Sequence, residues 1–158
     1  MSRPPHHPDW LDFVRALLDA EARFLVVGGH ALAVHGVPRF TQDLDVWTDP
    51  TPENARRVWR ALHEFGAPVE ALGIELGDLT DPDIVAQFGL PPKRVDVMTS
   101  VSGVGSFDEA WAARVVRPLG PVPDVPFLGR EHFVANKLAS GRHKDLADVE
   151  SLESPDVG

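Results

Sequence analysis

The chain has 158 residues and carries 24 acidic against 15 basic side chains, a formal net charge of −9. That balance opposes non-specific nucleic-acid binding, which relies on Lys and Arg neutralising phosphates, but leaves room for a nucleic-acid substrate held by a local basic patch. A hydrophobic fraction of 43% fits one globular domain with a real core, the absence of cysteine excludes disulfides and thiolate metal sites, and no apolar run approaches the ~20 residues of a membrane span.

In chain order, Met1-Ser-Arg-Pro-Pro-His-His-Pro8 has no apolar signal core. Residues 1–8 are expected to be a disordered polar leader and the protein to be cytoplasmic. Residues 9–22 read as a helix, with Leu11, Val14, Leu17 and Leu18 at helical spacing and Asp9 as N-cap. Phe24–Val27 is a short buried strand ended by Gly28-Gly29. Residues 30–35 are the next helix, closed by Gly36 and Pro38. Residues 43–47 form a strand. Thr51 caps a third helix with Pro52 at its first position and an apolar stripe of Ala55, Val58, Trp59, Leu62 and Phe65.

Residues 66–92 are rich in Gly, Pro and Asp, with a short helix expected near 81–88. Arg94–Met98 alternates as a strand, and Ser106 caps a short helix through Trp111. Residues 114–128 read as edge strand and loop because of their prolines. Gly129–Ser140 is a helix broken at Gly141, and residues 143–152 are a last helix before a frayed tail at 153–158. These elements place the chain in the α/β (α+β) class: a small mixed or antiparallel sheet flanked by helices, in a single domain over residues 9–152.

The chemistry gathers on three aspartates. In a strand, residues i and i+2 share a face, so Asp43 and Asp45 put two carboxylates side by side, and such like charges repel unless a cation lies between them. If the 94–98 strand lies beside this one, Asp96 completes a triad able to hold two Mg²⁺ ions ~3.5–4 Å apart, with Mn²⁺ as a substitute. Gly28-Gly29 lets backbone approach phosphate closely, and the following helix offers free N–H groups. Together these residues point to a metal-bound nucleotide, because phosphoryl transfer depends mainly on positioning and charge neutralisation.

The ordered set of apolar strand, Gly-Gly, helix, Asp-x-Asp strand and later single Asp resembles the nucleotidyltransferase fold of the DNA polymerase β superfamily. Within it, the chain is similar to small bacterial proteins related to the AbiEii toxins of toxin–antitoxin systems. The shared residues are Gly28, Gly29, Ala31, His35, Gly36, Arg39, Thr41, Asp43 and Asp45, then Lys137 and the run Arg142-His-Lys144-Asp145-Leu-Ala-Asp148. The resemblance spans about residues 10–152.

It implies Mg²⁺-dependent transfer of an NMP from an NTP to an acceptor hydroxyl, at a tRNA 3′ end or on a protein, with an antitoxin-like partner. Asp43 and Asp45 would ligate both metals. Asp96 would ligate one and take the acceptor proton. Gly28 and Gly29 would bind the β- and γ-phosphates, with Lys137 near the triphosphate and Asp145 in the active site. Arg39 and Thr41 would reach phosphate or brace their loop. His30 stands where many members have a phosphate-binding Ser, and is expected to donate to phosphate in its place. His35 is expected to be a structural helix-end residue, and Trp47, Trp59, Phe65 and Trp111 core. Arg94 paired with Asp96, Asp145 as a brace and Lys137 as a surface lysine are the simpler alternatives. A non-catalytic nucleotide- or partner-binding module of the same fold is the competing function.

Overall fold

The computed structural model describes residues 7–37, 41–90 and 93–153. Helix α1 (Pro8–Asp19) is capped by His7, whose Nδ1 accepts from the Asp9 backbone N–H at 3.0 Å, so the cap lies two residues before Asp9. Pro8 thus belongs to the helix rather than to a leader. The apolar face of α1 buries Trp10, Phe13, Val14 and Leu17. Strand β1 (Phe24–Val27), buried at all four positions, runs straight into α2 (Gly28–Val34), and both glycines fall in the first helical turn.

Strand β2 (Asp43–Thr48) precedes α3 (Pro52–Phe65), where the Thr51 side chain accepts from the Asn54 N–H at 3.3 Å and Gly66 closes the helix in the left-handed conformation. Then come a 3-10 turn (Leu76–Thr80) and strands β3 (Val85–Phe88) and β4 (Arg94–Met98). The expected helix at 81–88 is therefore a strand. Asp81 turns the chain by accepting from the Asp83 N–H at 2.9 Å, and Ala86 and Phe88 alternate inward while Val85 and Gln87 face out. Phe88 sits edge-on to Phe13 at 5.3 Å, so the period of two is the one that fills the core.

Helix α4 (Phe107–Ala112) starts at the Ser106 cap, followed by β5 (Val115–Leu119) and β6 (Val122–Phe127). Residues 114–128 are thus a hairpin, and β6 is interior. The prolines Pro123 and Pro126 have no N–H to donate, but contact with β1 is made beyond them, by Phe127 opposite Val26 and by the Leu128 N–H on the Val26 carbonyl at 3.0 Å. Helices α5 (Arg130–Ser140) and α6 (His143–Glu153) are hinged at Gly141, whose φ is 66°.

Among the described residues the six strands form one mixed sheet in the order β3-β4-β2-β1-β6-β5. Strand β1 is antiparallel to β2 and parallel to β6, while β2 is parallel to β4. Phe13, Phe24, Trp47, Phe127 and Phe133 are among the largest fully buried side chains, and Trp59, Phe65 and Trp111 pack partly exposed against that core. Among the described residues no helix is long and apolar enough to cross a membrane.

Candidate active site

The parallel pairing of β2 and β4 places Asp43 opposite Arg94 and Asp45 opposite Asp96. Since residues two apart share a face, these four side chains stand as a square on one side of the sheet. Leu44, Val46, Val95 and Val97 turn the other way and are buried. The strand pairing required to bring Asp96 to Asp43 and Asp45 is therefore present.

The square holds three carboxylates and one guanidinium. Arg94 donates from Nε to Asp96 Oδ1 at 3.1 Å and from Nη2 to Asp96 Oδ2 at 3.3 Å, and its Nε lies 3.9 Å from Asp43 Oδ1. Asp45 faces none of these donors. Its burial, then the charge and hydrogen bond of Asp96, then the charge of Asp43, push its pKa up to about 7, only partly opposed by Lys137.

Gly28 makes room for that carboxylate. It adopts φ +69°, and a Cβ there would run into the Asp45 carboxylate. Gly29 does not reach the same cleft wall: a Cβ on it would lie 3.2 Å from Thr41 Cβ. Thr41 braces the entry to β2, its hydroxyl donating to the Asp43 carbonyl at 3.0 Å and accepting from the Asp43 N–H at 3.2 Å.

Lys137 comes to the site from α5. Its Nζ lies 3.2 Å from Asp145 Oδ1 and 3.7 Å from Asp148 Oδ2, both carboxylates belonging to α6 and both buried. Arg142 clamps Asp145 with two hydrogen bonds of 2.6 and 3.2 Å. Burial alone would raise the pKa of Asp145, but the hydrogen bonds from Arg142 and Lys137 outweigh it and hold the carboxyl below its usual range.

The square, Gly28 and Lys137 line one cleft of about 400 Å³, whose opposite wall includes Asn136, Arg142 and Lys144. The wall residues Arg94 and Ser102 carry no sequence motif of their own, while Asn136 directly precedes Lys137 in the C-terminal run that resembles the family. Arg94 signals itself only by standing two residues before Asp96, on the same strand face. A larger hollow of about 600 Å³ beside α1 and the end of α3 is lined by Asp9, Asp12, Asp19 and Glu64 and contains no comparable buried acid.

One expected nucleotide contact falls elsewhere. His30 is buried with its ring edge-on to Trp10 at 4.9 Å and is not part of the cleft lining, because α1 brings Trp10 across it. Arg39 lies outside the described residues. His35 is structural, as expected: it ends α2, and its Nε2 lies 2.8 Å from the Leu128 carbonyl oxygen.

A hard divalent cation is what such a donor set attracts, since Asp43, Asp45 and Asp96 offer only oxygen ligands and Asp45 lacks a full counter-charge. As the side chains lie, no group of three or more His, Asp or Glu among the described residues closes on a metal ion. A guanidinium stands among the carboxylates instead.

Residues 12–154 match the family described as nucleotidyltransferase of unknown function (DUF6036). The chain belongs to this nucleotidyltransferase family. It is also similar in fold to a solved structure of a candidate nucleotidyltransferase from Thermotoga maritima, with a TM-score of 0.54 and 18% identity over 93% of this chain and 90% of that one. No curated protein matches.

Proposed function

We propose that the cleft transfers an NMP from an NTP to an acceptor hydroxyl in a Mg²⁺- or Mn²⁺-dependent reaction. The observation that carries this reading is the register of β2 and β4, which sets Asp45 directly beside Asp96 with Asp43 adjoining, in the cleft that Lys137 also lines. Asp43, Asp45 and Asp96 would hold the metal, which when bound neutralises the charge of the triphosphate and of the departing pyrophosphate.

The chain's own residues do the rest. Gly28 keeps the floor of the cleft low enough for phosphate to approach, with Gly29 continuing the turn. Lys137, fixed by Asp145 and Asp148, presents a positive charge toward the triphosphate. The acceptor oxygen bonds to the α-phosphorus, the bond from that phosphorus to the bridging oxygen breaks, and Asp96 takes the hydroxyl proton while pyrophosphate leaves. His30, in the core, has no part in this scheme, and the Thr41 hydroxyl acts as a brace.

The acceptor is an RNA 3′ end or a protein hydroxyl. The similarity to AbiEii-related proteins in the Gly28–Asp45 and Lys137–Asp148 segments supports a toxin role beside an antitoxin-like partner in the cytoplasm. Asp43→Asn and Asp45→Asn should each lower NMP transfer by about 10³-fold or more while the circular dichroism spectrum stays that of the wild type. Wild-type rates in both variants would refute the assignment.

Arg94 among the carboxylates favours one second reading, a binding module that holds nucleotide against its own internal cation and transfers nothing. It predicts nucleotide binding without pyrophosphate release under any acceptor.

A further inference from the structure

Lys137 and Arg142 are engaged by carboxylates of α6, whereas Arg94 is engaged by the carboxylate square itself. Its guanidinium is the only cation with hydrogen bonds to the carboxylate square among the described residues. Its Nε and Nη2 both donate to Asp96, and the Nε also leans toward Asp43 at a distance of 3.9 Å. The side chain is about a third exposed to the cleft, so it can leave without disturbing the core. Its backbone is held separately, the Trp10 indole donating to the Arg94 carbonyl at 3.2 Å.

We propose that Arg94 is a placeholder cation: it occupies the carboxylate square in the resting protein, and an arriving divalent ion releases it to clasp the nucleotide triphosphate. This rests on the metal-and-nucleotide reading of the cleft given above.

The physical argument has three parts. A metal ligated by Asp96 takes the oxygen lone pairs that Arg94 now uses. It also brings positive charge against the guanidinium, and at this distance like charges separate. A freed guanidinium in the same cleft meets a polyphosphate, the anion its planar fork binds in bidentate fashion. A side chain that merely oriented Asp96 would strengthen metal binding. One that competes for Asp96 weakens metal binding and strengthens binding of the loaded triphosphate. The two roles therefore have opposite signs.

The test uses the full chain and calorimetry, with Mn²⁺ alone as the first probe and Mn²⁺–tripolyphosphate as the second. The second probe has no base, so base preference does not enter. In Arg94→Gln, Mn²⁺ affinity should rise about fivefold, because the competitor is gone. Affinity for Mn²⁺–tripolyphosphate should fall about tenfold. Arg94→Lys keeps the charge and loses the fork. It should bind Mn²⁺ as the wild type does and tripolyphosphate more weakly, which guards against misreading a folding defect in the Gln variant. Unchanged or lower Mn²⁺ affinity in Arg94→Gln, with wild-type binding intact, overturns the placeholder alone. Failure of the wild type to bind Mn²⁺ overturns the placeholder together with the metal reading beneath it.

Discussion

Two clusters of buried or half-buried acid are balanced in opposite ways: Asp43, Asp45 and Asp96 line the cleft, and Asp145 and Asp148 are buried against the Lys137 that lines it. On α6, Asp145 is gripped by Lys137 and Arg142, and its pKa is held low. On β2, Asp45 has only a partial counter-charge, and its pKa is pushed up to about 7. The first arrangement is what a fold needs to keep a charge indoors. The second costs stability, a cost that the proposed function assigns to a site completed by a cation from outside. Under the proposed function, the contrast separates charges that hold the molecule together from charges kept for a ligand, with Lys137 lining the cleft between them.

Breaking the balanced cluster should have the largest effect. Lys137→Met takes the ammonium from Asp148 and removes one of the three hydrogen bonds to Asp145, and urea unfolding should show a loss of about 3 kcal/mol. A loss under about 0.5 kcal/mol would mean that solvent already screens this pair.

Gly28→Ala comes next. It sets a side chain at φ +69° and drives a methyl into the Asp45 carboxylate, so a cost of about 2 kcal/mol is expected. Under the proposed function Mn²⁺ binding should weaken in the same variant, since the displaced group is one of the carboxylates assigned to the metal. Gly66→Ala is the control. It has a similar backbone, φ +89°, but open space around it, and should cost about 1 kcal/mol with Mn²⁺ binding intact.

The unbalanced cluster predicts a pH effect of definite sign. Asp45 keeps its proton in the folded chain up to about 7 but loses it near 3.8 when unfolded. Between those values the folded state binds more protons, so the metal-free protein should lose stability as pH rises through this window and level off above it. The fall should be on the order of 2 kcal/mol once solvent screening is allowed for. Asp45→Asn should flatten the slope. Asp145 acts in the opposite sense: its lowered pKa gives stability that is present at neutral pH and lost only as pH falls below its ordinary range. A slope of equal size in Asp45→Asn and wild type would move the perturbed acid elsewhere.

The sheet face was legible because its signal is local. Asp43 and Asp45 share a face through a period of two that any strand imposes, and the apolar neighbours Leu44 and Val46 say which way the strand turns. Asp96 was legible as chemistry, but its register against Asp45 is a long-range pairing that the sequence only allowed. What stayed hidden depended on distant contacts. His30 reads as a phosphate ligand until Trp10, twenty residues earlier in the chain, covers it. The strand at 85–88 reads as helix until β4 offers it an edge and Phe13 a ring to pack against. Arg94 reads as a simple partner for Asp96, and its lean toward Asp43 follows from the parallel register.

The most direct measurement follows two labels through one reaction. The protein is incubated with Mg²⁺ or Mn²⁺, total tRNA or lysate, and each NTP labelled either at the α- or at the γ-phosphate. The account predicts that the α-label moves onto RNA or protein, that the γ-label leaves as pyrophosphate, and that Asp45→Asn does neither. Transfer of the γ-label to the acceptor, or equal α-label transfer by Asp45→Asn, would contradict it.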